Sequence, residues 1–363
     1  HADEQDVVHA VVAISDRAAD ARPAAALAGG HLAIFGFAIS VGIEGERIIV
    51  RRKKELVFES PLTALRSVHL QTYGMAVTTP LLEKLSQLDI PVLFSHPNGK
   101  VWGAMRGNVH RGSGELLAAQ LACRAGPLSI HISKVLLAAK LVNQERLLRY
   151  YAKYSARKDG PIGQALREGA EAIVRLRTRL EAIDEPDVAS ARKRLFSTEG
   201  RAGAAYWQGL KSVFGDHFPG RTGRGASDPI NVALNYGYGI LYGAIWCAVL
   251  RAGLEPGIGV LHAAPGDRAA LVFDLIEPFR VPVVDRPILS VFAKGGTIKL
   301  NKDGHLSATS RRKLAKLIGA SLDREVPWGG TPRSLAAHIA QHAAELAACI
   351  MGGKLIDPLR IRW

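Results

Sequence analysis

Cysteine is scarce in this sequence, and no long hydrophobic run is present. The chain of 363 residues has only three cysteines, Cys123, Cys247 and Cys349, which are scattered without motif spacing. This pattern argues against a zinc or iron–sulfur cluster and against a disulfide framework. No apolar run reaches the ~18 residues that span a bilayer, and "VVHAVVAI" near the start is flanked by acids rather than by a basic signal-peptide head. We therefore expect a cytoplasmic protein with buried, reduced thiols.

Positive charge is the feature that the composition has in excess. Lys and Arg number 47 against 33 Asp and Glu, which gives a formal net charge of +14 at pH 7. Such an excess indicates a polyanionic partner such as nucleic acid, although a merely basic soluble protein fits the charge alone equally well. Apolar residues make up 48% of the chain, enough for a packed core.

The pattern along the chain changes twice. Residues 1–30 are Ala-rich with scattered acids, and we expect a weak helix and linker there, a leader or the remnant of an upstream module. Residues 31–108 hold short β-branched runs such as "RIIVRR", which predict a small β-rich domain. Within it, "TTPLLEKLSQL" predicts one helix with Thr79 as N-cap and Pro80 at the first position. Residues 109–363 show helical periodicity and predict a large all-helical domain, so the fold class is α+β.

Two stretches are basic enough to contact DNA. The loop "HFPGRTGRGASDP" carries Arg221 and Arg224 ahead of a helix that Asp228 would cap, and it either meets phosphate or is a plain surface loop. The densest basic run either contacts DNA or forms a solvated hairpin edge that resists aggregation. That run consists of Arg51, Arg52, Lys53 and Lys54.

A histidine and several acids lie in otherwise apolar surroundings. "RAALVFDLIEPFR" has helical spacing, which places Asp274 and Glu277 on one face. These acids are metal ligands, salt-bridge partners of a nearby arginine, or residues of a solvated face. His262 ends the strand-like "GIGVLH", where a histidine is either a ligand or a hydrogen-bonded structural residue. Glu199, at the expected start of a helix, is a third ligand or a capping acid. A set of this kind suits Mg²⁺ or Mn²⁺.

One predicted helix is crowded with amide and phenol side chains. Asn231, Asn235, Tyr238 and Tyr242 share a face, which either makes a polar helix–helix contact or touches DNA beside the metal. Tyr206 follows Glu199 by seven residues, lies on about the same face and is a further candidate for contact with a phosphate or a base.

The order of several motifs resembles a known family. "STEGRAGAAYW", "DPINVALNYGYGILYG", "GVLH" and "LVFDLIEPFRVPVVDR" look like successive motifs of the CRISPR adaptation integrase, the Cas-one family. "YGMAVTTPLLEKLSQLDIPVLFSHPNGKVWG" is similar to its β domain, and "AAKLVNQERLL" to an early helix of its helical domain. The resemblance implies that the metal is held by Glu199, His262 and Asp274, with Glu277 as an auxiliary acid.

The resemblance also implies an activity and partners. It implies a metal-dependent DNA endonuclease and integrase that inserts captured foreign fragments into a CRISPR array by attack of a 3′-hydroxyl on a phosphodiester. It implies a homodimer formed through the β domain and a small Cas-two partner that bridges two dimers. A fused or associated Cas-four-type nuclease or reverse transcriptase would suit the acidic, Ala-rich leader. Two rival functions stay open: a structure-specific nuclease of DNA repair, and a non-catalytic DNA-binding scaffold.

Overall fold

Two β-sheets packed around a shared apolar core form the N-terminal part of the protein. The coordinates are a computed structural model that describes residues 25–28, 30–71, 74–96, 101–107, 113–154, 160–223, 225–262 and 269–362. One sheet has five strands in the order β1-β2-β6-β8-β9, and the other has four in the order β5-β4-β3-β7. Their elements are β1 Ala25–Ala28, β2 His31–Phe35, β3 Ile39–Glu44, β4 Arg47–Arg52, β5 Glu55–Pro61, β6 Ser67–Gln71, β7 Ala76–Val77, α1 Thr79–Gln87, β8 Val92–Ser95 and β9 Val101–Met105.

The C-terminal part is largely helical, which confirms the predicted α+β class. The long helices α3, α4 and α5 pack side by side, and α6 runs through the core of this half. The helices are α2 Ser113–Ala125, α3 Pro127–Tyr154, α4 Pro161–Glu181, α5 Val188–Phe214, α6 Pro229–Arg251, α7 Ala270–Ile276, α8 Arg286–Ala293, α9 Ala308–Asp323 and α10 Leu335–Ile350. The described C-terminal part also contains a short hairpin, β10 Glu325–Trp328 and β11 Thr331–Ser334, and an isolated β-bridge between Leu300 and Leu306, so it is not all-helical as predicted.

Helix α6 is the most apolar of the long helices. By length and composition Pro229–Arg251 passes as a membrane-spanning helix, with a mean hydropathy of 1.3, but 61% of the window is buried inside the protein. A bent pair, Gly114–Ala125 with Pro127–Tyr154, passes the same test as one broken span, with an 83° bend. The predicted signals at the ends of α6 are confirmed, because Asp228 accepts a hydrogen bond from the Asn231 amide and Gly253 takes a positive φ of 76°. Helix α6 also joins the two halves through Cys247 and Leu250, which pack against Leu93 of β8.

The structure differs from the sequence-based expectations at four places. Ala25–Ala28, expected in a weak helix or linker, form a strand antiparallel to β2, because backbone pairing outweighs the helix propensity of alanine. "TPRS" at 331–334, expected to open a helix, forms β11 instead. The strand expected at "GIGVLH" is irregular backbone. The helix expected to run through 269–280 ends at Ile276. The predicted turn "PNGK" lies outside the described residues.

Candidate active site

Glu199 lies in the middle of α5, not at a helix start. Helix α5 begins at Val188, where the side chain of Asp187 accepts a hydrogen bond from the Ser190 amide at 2.9 Å. The capping interpretation of Glu199 is therefore wrong, because capping belongs to Asp187, a full three turns earlier. The Glu199 side chain is 14% exposed and forms an ion pair with Lys140 of α3.

Lys140 joins Glu199 to a second carboxylate. Its Nζ atom lies 2.6 Å from Oε2 of Glu277, whose side chain is 1% exposed. Oε1 of Glu277 lies 3.0 Å from Nη2 of Arg280. Burial alone would lower the pKa of Lys140, but the charges of Glu199 and Glu277 outweigh it and raise that pKa above its usual range. The part-buried Glu199 and the buried Glu277 thus share one ammonium group.

A break in helical geometry positions Glu277. The α-helix stops at Ile276, a 3₁₀ turn covers Glu277–Phe279, and a π-helical stretch covers Arg280–Asp285 before α8 begins. Prolines at 278, 282 and 287 remove backbone donors that a continuous α-helix would need. The Pro278 carbonyl accepts a hydrogen bond from the buried amide of Asn143 at 2.8 Å, which anchors the backbone next to Glu277.

His262 and Asp274 form a separate buried pair. Oδ1 of Asp274 lies 2.5 Å from Nδ1 of His262 and accepts the His262 amide at 3.0 Å. Oδ2 accepts the amides of Val260 at 2.6 Å and Leu261 at 3.2 Å. Nδ1 of His262 donates to the Asp274 carboxylate, so Nδ1 carries the proton in this pair. Asp274 therefore fixes the tautomer of His262 and the fold of the segment before it.

The expected ligand set Glu199, His262 and Asp274 is not assembled as such. Among the described residues, no three His, Cys, Asp or Glu side chains meet closely enough to hold a metal ion. Both oxygens of Asp274 are used by donors from 260–262, so the ligand role inferred for it is not supported by the geometry. His262 does approach Glu199 along α5: its ring packs on Phe196, one turn before Glu199, with centroids 5.3 Å apart.

A basic cleft of about 910 Å³ opens in front of Lys140 and Glu199. Glu277 and His262 are not among its lining residues, so Lys140 lies at the wall between the cleft and Glu277. Six basic side chains and two acidic ones line the cleft, a balance that favours phosphate groups. These residues are Lys140, Arg192, Lys193, Lys211, Arg221, Arg280, Glu199 and Asp285.

The tyrosines predicted to touch DNA are internal. Tyr206 and Tyr238 are 0% and 1% exposed, and both hydroxyls donate to the buried Asp285, Tyr206 at 2.8 Å. The prediction of DNA contact is therefore wrong for Tyr206, and the Tyr238 hydroxyl is likewise committed to Asp285. Burial raises the pKa of Asp285 to about 6, against the lowering effects of the two phenols and of nearby arginines.

Asn235 holds a loop rather than DNA. Its side-chain oxygen accepts from Arg221 Nη2 at 2.6 Å, and its amide donates to the Gly223 carbonyl at 2.7 Å. Asn231 likewise accepts from Arg221 and donates to the Gly220 carbonyl. The amide groups of α6 thus pin the loop that follows α5, which explains their shared face better than a helix–helix contact or DNA contact does. Arg221 lines the cleft, and its contact with DNA stays a prediction, whereas Arg224 lies outside the described residues.

The basic run at 51–54 forms a hairpin end. Arg51 pairs with Glu44 at 2.6 Å, and Lys53 and Lys54 are exposed at the turn between β4 and β5 with positive φ values of 48° and 74°. The hairpin interpretation is confirmed, and contact of Arg51, Arg52, Lys53 and Lys54 with DNA stays a prediction.

Sequence reasoning missed Lys140 and Asp285. A usable signal was present for Lys140, because it is the one charged residue in the apolar stretch 135–142 of α3. A lysine in such surroundings needs a buried acid as partner. Nothing in the spacing identified that acid, since Glu199 and Glu277 follow far along the chain.

Comparisons with known proteins agree on one family. The family model described as "CRISPR associated protein Cas1" matches residues 32–318. A protein of Korarchaeum cryptofilum named CRISPR-associated endonuclease Cas1 is 28% identical over 331 residues, which is 90% of this chain and 96% of that protein. A casposase bound to its integration product is similar in fold, with a TM-score of 0.72 and 20% identity over 89% of this chain and 91% of that chain. A Cas6-RT-Cas1–Cas2 complex gives a TM-score of 0.71 and 23% identity over 92% of this chain and 36% of that chain. At these sequence identities, the two structures show only that the fold is similar.

Proposed function

The chain belongs to the CRISPR-associated Cas1 family, and on that premise we propose that it is a metal-dependent DNA integrase and endonuclease of CRISPR adaptation. One observation carries the chemistry: the part-buried Glu199 and the buried Glu277 both contact Lys140 at the wall of a basic cleft. A place where two carboxylates already converge on one cation has the donor set for a divalent ion.

We assign Glu199 and Glu277, which meet at Lys140, as two ligands and His262 as the third. The three side chains do not lie within reach of one ion in the described part of the chain, so His262 would join the two glutamates by a side-chain movement. Asp274 would then orient His262 by accepting a hydrogen bond from its Nδ1, the usual arrangement of a metal-binding histidine. This exchanges the roles that the motif resemblance implied for Asp274 and Glu277. Hard carboxylate oxygens suit Mg²⁺ or Mn²⁺, and the imidazole tilts the preference towards Mn²⁺.

The proposed reaction joins a 3′ DNA end to a phosphodiester within the repeat, without a covalent protein intermediate. The 3′-hydroxyl oxygen of a captured duplex attacks a phosphodiester at the repeat, a new P–O bond forms, and the displaced strand leaves with a free 3′-hydroxyl. When bound, the metal would lower the pKa of the attacking hydroxyl and offset charge on the phosphorus. Arg221 and Arg280 line the cleft where phosphate charge accumulates, so they bind and orient the backbone.

The partners follow from the same family. The casposase and the Cas6-RT-Cas1–Cas2 complex are named for an integration product and for Cas2 and reverse-transcriptase components. We propose that this chain acts on double-stranded DNA, pairs as a homodimer through its β half, and works with a Cas2 protein. Apolar side chains exposed on two edge strands support the dimer, Leu56 on β5 at 54% and Trp102 on β9 at 61%.

The test is integration of a labelled duplex into a supercoiled plasmid that carries the repeat, in Mn²⁺, Mg²⁺ or EDTA, with and without the Cas2 partner. We expect strand transfer only with metal, and a loss of roughly 100-fold or more in E199Q and E277Q. E171Q, an exposed acid on α4, is the matched control and should keep wild-type transfer. Strand transfer that survives in both site variants would favour a scaffold, and robust cleavage of branched DNA without integration would favour a repair nuclease.

A further inference from the structure

We propose that Lys140 is a displaceable internal counter-ion that occupies the cation position between Glu199 and Glu277 until a divalent metal replaces it. The inference rests on the proposed metal site and concerns a residue that takes no part in ligating the ion. Its consequence is that metal binding is an exchange of one cation for another rather than the filling of an open site.

The geometry of Lys140 is that of a bound cation. Its Nζ atom contacts a carboxylate oxygen of Glu199 and lies 2.6 Å from Oε2 of Glu277, and all three side chains are 14% exposed or less. Two like charges in such surroundings repel each other strongly unless a cation lies between them. Lys140 therefore offsets the repulsion between the two carboxylates as long as no metal is bound.

The position of Lys140 also controls access. Lys140 and Glu199 line the cleft, but Glu277 does not, so an ion entering from the cleft meets the ammonium group before it meets Glu277. A lysine side chain is long and has rotatable methylenes, so its amine can swing into the cleft while its stem stays on α3. The freed amine would then stand among the arginines that line the cleft, beside any bound phosphate.

The exchange changes the local charge. With Lys140 in place, Lys140 and Arg280 together balance the charges of Glu199 and Glu277, whereas a divalent ion with Lys140 moved aside leaves a net positive charge. The wall therefore attracts phosphate more strongly with metal than without it. DNA binding at this cleft is therefore coupled to metal.

The experiment compares K140M with K134M, a matched variant on the same helix. The amine of Lys134 also donates two hydrogen bonds, but its acceptors are the neutral backbone carbonyls of Glu181 and Ile183. Thermal unfolding is followed in EDTA and across a Mn²⁺ titration, and free Mn²⁺ is counted by electron paramagnetic resonance to give a dissociation constant.

We expect K140M to bind Mn²⁺ about 10-fold more tightly than wild type, because no lysine has to be displaced. Its Tm in EDTA should fall by roughly 5–10 °C and recover with Mn²⁺, since its paired carboxylates are left uncompensated only without metal. K134M should match wild type in Mn²⁺ affinity. Equal or weaker Mn²⁺ binding by K140M would overturn the proposal.

Two further measurements cover the case in which K140M does not fold without metal. The double variant K140M/E199Q removes the Glu199 charge with the lysine, keeps the Glu277–Arg280 ion pair, and should melt higher than K140M in EDTA; an equal or lower Tm refutes the counter-ion role. In the wild type, acetylation of Lys140 read by mass spectrometry should be several-fold faster in Mn²⁺ than in EDTA, and an unchanged rate counts against displacement. If wild type and K140M both fail to bind Mn²⁺, the metal site itself fails, which is a distinguishable result.

Discussion

Replacement of Asp274 by Asn tests which of two acids, Asp274 or Glu277, binds the metal and which one orients His262. The carboxylate of Asp274 accepts two donors on each oxygen: the Val260 and Leu261 amides on one, and the His262 amide and Nδ1 on the other. A carboxamide has a single acceptor oxygen, so its NH₂ group must face two buried N–H donors on one side. Losing two hydrogen bonds to a charged acceptor costs about 3–5 kcal/mol. Urea unfolding in EDTA measures this directly, with an unchanged m-value as evidence that two-state unfolding holds.

The same variant should weaken metal binding without abolishing it. Loss of the carboxylate behind His262 is expected to reduce Mn²⁺ affinity by roughly 10–100-fold, because the imidazole is no longer held in one tautomer and orientation. E277Q should instead lose saturable Mn²⁺ binding. If D274N kept the wild-type free energy of unfolding in EDTA but lost Mn²⁺ binding, while E277Q bound normally, the roles assigned to Asp274 and Glu277 would be reversed.

Three further variants probe the surroundings of the site, and a fourth probes the proposed dimer interface. G259A should destabilise the protein by roughly 2–3 kcal/mol and weaken Mn²⁺ binding, because a Cβ there would lie 2.8 Å from Oδ2 of Asp274, whereas G257A meets nothing closer than 3.7 Å and should be silent in both assays. Burial of Asp285 raises its pKa in the folded state to about 6 from 3.8, so between these pH values the folded state holds a proton that the unfolded state has lost. The free energy of unfolding should therefore fall by about 3 kcal/mol as the pH rises through that window. The difference in unfolding free energy between wild type and D285N should show this slope and become flat at higher pH. N143A should cost about 3–5 kcal/mol in urea unfolding, because three backbone partners lose their bonds in a fully buried place. L56E should convert the proposed dimer to a monomer by light scattering, and an unchanged mass would exclude β5 from the interface.

The sequence predicted the segregation of strands and helices well because both periodicities are strong. "RIIVRR" becomes β4 with Ile48, Ile49 and Val50 buried, and the Asp228–Pro229 signal starts α6 at the expected residue. Short segments were less predictable. Ala25–Ala28 become a strand only because β2 offers an edge, and that neighbour is a tertiary fact that local propensity does not contain.

The residues of the candidate site could be predicted from the sequence, but the role of each residue could not. Glu199, His262 and the acids at 274 and 277 do lie in one region, yet the spacing of Asp274 and Glu277 gives no hint of which carboxylate is saturated with donors. That depends on backbone amides more than ten residues upstream, folded back over the helix. The tyrosines were misassigned for a similar reason: their face is polar because it holds Asp285, an acid hidden in a π-helical stretch.

The hydrogen bonds behind the site imply that its response to metal is confined to side chains. The backbone of 260–262 is tied to Asp274, and the backbone at Pro278 is tied to Asn143, which also holds the carbonyl of Leu359 and the amide of Ile361. Glu199 is carried by a helix of 27 residues capped at its start. With the segments that carry the three proposed ligands tied down in this way, the cation between the two glutamates is the component that we propose to exchange. Backbone hydrogen bonds that hold the two carboxylates in place before metal binds would lower the reorganisation that metal binding must otherwise drive.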